Sequence, residues 1–282
     1  MDISYLSIFI FLLATYIYYA FPAIGKINLT LEALKSQDLQ PIFKANYSRL
    51  GMYLLFILVS QFGLNCAFLI NKCGGSAGTN IGTAAVLTFF PWVFIFGILI
   101  ITLLMYPGFK SSFSDVIGYF VIAGKANKLL TAILIDIDIE DNIDKANFNE
   151  GDKMMMKKAA DAILKLCGNK SIIINKMTPL NFLSIWDMLK PLMNTSIEIT
   201  ELGSIQNELY NLVILKDNIG EALWYIYTAV FITSIISYNL ATKSCKKSLD
   251  QLKADHDQYL EDEQKINDQQ ALNNSTPMVI SG

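Results

Sequence analysis

Phe89-Phe90-Pro91-Trp92-Val93-Phe94-Ile95-Phe96-Gly97-Ile98-Leu99-Ile100-Ile101-Thr102-Leu103-Leu104-Met105-Tyr106 is the segment whose reading decides the fold. It lies inside a longer run, Cys73 to Phe109, that holds no charged side chain. A helix needs about 20 predominantly apolar residues to cross a hydrocarbon core about 30 Å thick. This run supplies them. It then breaks into Tyr106-Pro107-Gly108-Phe109-Lys110, an aromatic and turn-forming exit from an apolar phase.

Three more windows lack charge: Ile3 to Gly25, Leu50 to Asn71 and Ala222 to Thr242. A soluble core would spread its apolar residues at helical or strand period, whereas here they are concentrated. The expectation is four transmembrane helices, at residues 3–25, 50–71, 84–106 and 219–242. The first window starts Met1-Asp2-Ile3-Ser4, without a basic residue, and its apolar run is long for a signal peptide. It reads as an uncleaved anchor.

Composition excludes several classes. The 282 residues are 53% hydrophobic and 17% charged, with a net charge of −3. Nucleic-acid binding calls for a basic domain or stripe, and none is present, so no nucleic-acid partner is expected. The lipid bilayer is the first partner the sequence implies.

Four spans divide the rest between two faces. The amino terminus, the Lys72–Gly82 loop and the tail after Thr242 share one. The Lys26–Arg49 loop and the segment from Phe109 to Glu221 share the other. Lysines near the span ends favour a cytosolic large segment by a small margin. Cys66, Cys73 and Cys245 then lie on or near the opposite, oxidising face, as candidates for a disulfide. Cys66 with Cys73 is the pairing considered; free thiols acting as small apolar residues are the alternative. Asn273 and Asn274 open sequons that a luminal tail would expose, while those at Asn28, Asn46, Asn169 and Asn194 would stay silent.

Residues 107–218 form a small extramembrane domain by this division. Phe113 to Ile139 has a helical apolar pattern, and Met154 to Leu166 reads as an amphipathic helix. Ser171-Ile172-Ile173-Ile174-Asn175 and Ser196-Ile197-Glu198-Ile199-Thr200 read as short strands. Leu180 to Leu189 is helical up to Pro191, and Glu201 to Leu215 feeds the fourth span. The expected fold is mainly α: a four-helix transmembrane bundle, a small α+β domain, and a helical tail over 243–272. Leu249, Leu252, Tyr259 and Ile266 fit heptad positions for a partner helix, and 273–282 reads as a disordered end.

Chemistry is sparse. His256 is the only histidine and sits among charges in the tail. Gly74-Gly75-Ser76-Ala77-Gly78 lacks the Lys-Ser/Thr ending of a phosphate loop and reads as a tight turn. Asp136, Asp138, Glu140, Asp141 and Asp144 start like a calcium loop, but its sixth and twelfth positions hold Asp141 and Asn147 instead of Gly and Glu. No catalytic, cofactor or metal residue is expected, so the chain reads as a scaffold rather than an enzyme. Gln61 and Asn65 lie four apart on the second span and read as polar contacts within the bundle. A pore lining is the other reading, but it would want polar stripes on several spans.

Several blocks carry a resemblance. They are Phe90 to Gly97, Tyr106 to Tyr119, Ile173 to Phe182, Leu212 to Tyr225, and Ser237-Tyr238-Asn239 with Cys245. Together they resemble a membrane protein of nucleocytoplasmic large DNA viruses, over residues 50 to 260. The resemblance implies a virion protein of the internal membrane, derived from host endoplasmic reticulum, that ties the capsid shell to lipid as a minor capsid component. Its partners would be other capsid or membrane proteins, with self-association left open. A viral channel or membrane-fusion component is the alternative. Trp92, Tyr106, Phe109, Phe113, Trp224 and Tyr225 would hold the depth of the spans. The block from Tyr106 to Tyr119, with Pro107, Gly108, Asp115 and Tyr119 itself, would be the hinge between the bundle and the domain that meets its partner.

Overall fold

The computed structural model describes residues 3–73, 77–134, 169–194, 197–245 and 249–275. Helix α1 covers Ile3–Ala20, α2 Leu31–Ser36 and α3 Gln40–Cys73. Helix α4, Ala77–Pro91, passes through a π-helical turn, Trp92–Phe96, into α5, Gly97–Met105. Proline has no N–H for the helix ladder and its ring crowds the preceding turn. A π turn is one way a helix absorbs such a defect without ending. After the Pro107–Lys110 turn come α6, Ser111–Phe113, a second π turn, Ser114–Gly118, and α7, Tyr119–Ile133. Helices α8, Lys170–Lys176, and α9, Phe182–Leu189, precede the 44-residue α10, Ile199–Thr242. Helix α11, Leu249–Ser275, follows, and its described side chains, 253–270, are exposed.

Two apolar cores are threaded on α10, which at 1.5 Å per residue is about 66 Å long. The lower core joins Phe11 and Ala14 of α1, Ile57 and Leu69 of α3, Trp92, Phe96 and Leu103 of the third helical rod, and Ile232 and Leu240 of α10. The upper core joins Leu31 of α2, Ala126 and Leu130 of α7, Ile174 of α8, Trp186 of α9, and Leu209 and Val213 of α10. The lower one is the expected bundle. The upper one corrects the expected α+β domain.

Among the described residues no strand forms. The single β feature is an isolated antiparallel bridge between Leu134 and Met193. Ser171–Asn175 falls inside α8, which buries Ile173 and Ile174. A lone strand leaves its backbone donors and acceptors without partners, whereas a helix satisfies them internally. With no partner strand among the described residues, β-branched propensity yields to packing. Ile199 and Thr200, read as the end of a strand, instead open α10. The 154–166 helix, the acidic string at 136–144 and Gly74–Ser76 lie outside the described residues. Ala77–Gly82, read as loop, is the start of α4, and Asn273–Ser275 belong to α11.

Among the described residues four helical stretches are long and apolar enough to cross a membrane: Gln40–Cys73, Asn80–Met105, Pro107–Ile133 and Ile199–Thr242. They are not quite the four expected. Helix α1 has 18 residues, about 27 Å, and ends where Phe21-Pro22 disfavours further α conformation. The remainder of that window turns, with the Gly25 and Lys26 amides donating to Phe21 and Tyr18 carbonyls at 2.8 and 2.7 Å. Pro107–Ile133 contains Lys110, Asp115, Lys125 and Lys128, and it packs Ile122, Ala126, Leu130 and Ile133 into the upper core. We therefore place it with the domain.

Where the cores meet, backbones approach closely. A Cβ on Gly220 would sit 2.6 Å from Ser114 Cβ and 2.9 Å from Ser114 N. One on Gly118 would sit 2.7 Å from the Lys216 carbonyl oxygen. This pairing, falling along α10 as it rises through Ser114 and Gly118, runs the second π turn antiparallel to α10. Gly220→Ala is expected to destabilise the chain by about 1–3 kcal/mol, the usual cost of overpacking. Gly203→Ala, where nothing lies within 4 Å, is the control. Thermal melting in detergent compares them; equal midpoints would contradict the close packing.

Candidate functional site

At the upper end of the bundle the charge-free windows stop together, and polar groups from three chain segments converge. Glu221, 6% exposed, lies one residue before the Ala222–Thr242 window. Its carboxylate accepts from Lys26 Nζ at 3.0 Å and pairs with Lys110 Nζ at 2.5 Å. Lys110 also reaches Asp217 at 3.1 Å, one helical turn before Glu221. Tyr19 and Tyr225 hydroxyls donate to Glu221 Oε1 at 2.9 and 3.4 Å. The ammonium groups of Lys26 and Lys110 thus flank the buried Glu221 carboxylate from two chain segments.

A second clamp sits one turn higher. Lys216, 2% exposed, donates to Asp115 Oδ1 at 2.9 Å and to the Ile174 and Asn175 carbonyls at 3.1 and 3.2 Å. One lysine thus binds α10 to the second π turn and to the C-terminal end of α8. Arg49 fastens the turn after α1, donating to the carbonyls of Pro22 and Gly25, the latter at 2.7 Å.

The lower end of the bundle is closed differently. Cys73 and Cys245 form a disulfide with Cα atoms 5.2 Å apart. Beside it Lys72 Nζ donates to the carbonyls of Leu240, Ala241 and Lys243 at 2.9, 2.6 and 3.0 Å. These include the carbonyls that the end of α10 leaves without helical partners, and a cation there also complements the helix dipole. Cys66 is free. The Cys66–Cys73 pairing is corrected by geometry: both lie on α3, about 10 Å apart along its axis, beyond the reach of a disulfide.

Between the two ends the bundle is held by apolar packing and a few polar contacts. Gln61, 1% exposed, accepts from the Ser7 hydroxyl and donates to the Ser7 carbonyl at 3.0 Å. Asn65, 4% exposed, donates to Thr88 Oγ1 at 2.8 Å. Each ties α3 to a different neighbour, α1 or α4.

The boundary aromatics divide. Phe109 stacks on Trp224 at 4.7 Å, Phe113 meets the same indole edge-on at 5.0 Å, and Trp224 Nε1 donates to the Phe109 carbonyl at 3.1 Å. Tyr106, Pro107 and Gly108 are exposed beside them. Tyr119 is half-buried against the upper core and its hydroxyl accepts from Asn127 at 3.4 Å. Trp92 is a correction: it is buried in the lower core, packed against Phe11 and Phe96, and fills the interior instead of marking depth. Tyr225 is also buried, against Tyr53 and Phe96, while its hydroxyl reaches Glu221 where the window ends.

Sequence reasoning missed the quartet of Lys26, Lys110, Asp217 and Glu221. A signal was there: Asp217 and Glu221 share one face of a helix, and Lys26 and Lys110 each begin the loop after a window. Among the described residues no group of acidic, cysteine or histidine side chains could hold a metal ion. No protein family, curated protein or solved structure matches the chain.

Proposed function

We propose that this chain is a multi-pass integral membrane protein whose task is structural: a stiff anchor that holds a helical domain against one face of a bilayer. The observation that supports it most is the placement of charge. No Asp, Glu, Lys or Arg falls within residues 3–20, 50–71, 77–109 or 222–242, and the charges that border these stretches include the paired Lys26, Lys110 and Glu221 at one end and Lys72, which caps α10, at the other. Intramembrane charges mark ion and proton paths, so their absence from the described spans favours an anchor over a carrier.

The resemblance supports a finer reading. In it the protein belongs to the internal membrane of a large DNA virus and links lipid to the capsid shell as a minor component. The Phe109–Phe113–Trp224 cluster and α7 then face the shell, and the Cys73–Cys245 end faces an oxidising lumen during assembly, where disulfides persist.

Two measurements test this. The protein should stay with the capsid shell when detergent strips lipid from purified particles; its presence in host membranes but not in particles would reject the virion reading. Reconstituted in planar bilayers it should pass no current, and Gln61→Leu or Asn65→Leu should change nothing. A conductance altered by either substitution would replace the anchor with a channel.

A further inference from the structure

Beside the charged quartet the neck contains a cavity of about 240 Å³, bounded by α3, α5, α10, the turn after α1 and the segment before α9. Leu50, Leu103 and Leu104 form the lower wall, on the side of the charge-free windows, Lys26, Lys110, Asp217 and Glu221 form a charged band above it, and Leu29, Leu180 and Ile214 close the cavity on the domain side. This reading rests on the membrane assignment above, which puts the cavity at headgroup depth, where an apolar wall meets a polar one. We propose that it holds the headgroup of one zwitterionic glycerophospholipid.

Charge decides the class. The quartet carries two ammonium groups and two carboxylates, so its formal sum is zero. An anionic headgroup would leave both carboxylates opposed to it, whereas a zwitterion offers each sign a partner. Capacity for this exists: an ammonium has three donor hydrogens and a carboxylate about four acceptor sites. Lys26 contacts Glu221 through one of them, and Asp217 meets Lys110 through one oxygen. A phosphate can therefore be held by Lys26 and the headgroup amine by Asp217 without breaking a pair.

Size decides how much of the lipid enters. Sites for whole small-molecule ligands run from about 300 to 1,000 Å³, so this cavity takes a headgroup and leaves the chains outside. Leu104 and Met105, 47% and 65% exposed, continue the lower wall outward as a surface for an acyl chain. Leu180, 52% exposed, stands at the rim on the domain side and makes none of the ion pairs.

The experiment is native mass spectrometry of the full chain in detergent, incubated with equal amounts of phosphatidylethanolamine, phosphatidylcholine and phosphatidylglycerol. One zwitterionic lipid per chain should survive, favoured over phosphatidylglycerol about tenfold, a difference of about 1.4 kcal/mol. Leu180→Trp, which fills the rim, should cut retention by about the same factor. Asp217→Asn, which leaves a positive excess, should turn the preference toward phosphatidylglycerol. Equal retention of all three lipids by the unaltered chain, or a preference that Asp217→Asn does not move, overturns the proposal even if Leu180→Trp fails to fold. Alkaline carbonate extraction of native membranes separates the two readings. Release of the chain rejects the membrane assignment itself; a chain that stays in the membrane but retains no lipid rejects only the headgroup site.

Discussion

Replacing Glu221 with alanine is expected to cost about 3–5 kcal/mol of stability, the range for removing one member of a buried ion pair. The reason is the company it keeps. Lys26 and Lys110, with side-chain exposures of 17% and 13%, both direct an ammonium at its carboxylate. Without it Lys26 loses its ion pair, Lys110 keeps only Asp217, and the Tyr19 and Tyr225 hydroxyls lose their acceptor. Removing the other members should cost less, because Lys110 continues to neutralise Glu221 in Lys26→Met, and Glu221 continues to neutralise Lys110 in Asp217→Asn. The exposed pair of Asp187 and Lys190, 63% and 59% exposed, sets the lower reference. Its loss should cost no more than about 0.5 kcal/mol. Thermal and SDS-titration midpoints in micelles rank the variants. A Glu221→Ala midpoint equal to that of Lys190→Ala would show that the quartet does not hold the neck.

The long helices were legible because their signal is local: a charge-free window needs no knowledge of what packs against it. The same locality explains what stayed hidden. Ile172-Ile173-Ile174 favours a strand by side-chain shape, yet the outcome depends on a partner strand that no window can reveal. Trp92 sits next to Pro91 near the start of an apolar run, where a boundary indole is the natural reading; only the neighbouring rings of Phe11 and Phe96 show that it is interior. Lys26, Lys110 and Glu221 come from positions up to 195 residues apart, as the Lys26–Glu221 bond shows. Each one alone reads as a flanking charge. Gln61 and Asn65, four apart on one face, were readable as bundle contacts because helical geometry fixes that face, while their partners Ser7 and Thr88 were not.

Loss of the Cys73–Cys245 bond should have the second-largest effect, and its size bears on how the bundle unfolds. The cysteines are 172 residues apart, and for a loop of that length the chain-entropy relation gives about 5 kcal/mol at 25 °C. That figure supposes a free coil in the denatured state. Spans that stay in lipid keep their ends near two surfaces, so the bond removes less freedom than it would in water. Cys245→Ser is therefore expected to cost about 2–4 kcal/mol, within the range seen for native disulfides. Lys72 grips the same end of α10 through three carbonyls. Neighbouring contacts of this kind couple: once the disulfide is gone, Lys72 becomes the last tie, and Lys72→Met should cost more in the Cys245→Ser background than alone. Cys66→Ser should leave both the midpoint and the gel mobility unchanged, because Cys66 is unpaired. Non-reducing gels of freshly alkylated protein read the bond directly, as faster migration that reductant and Cys245→Ser both abolish. Unaltered protein that already migrates as the reduced form would remove the latch, and with it the placement of that end in an oxidising compartment.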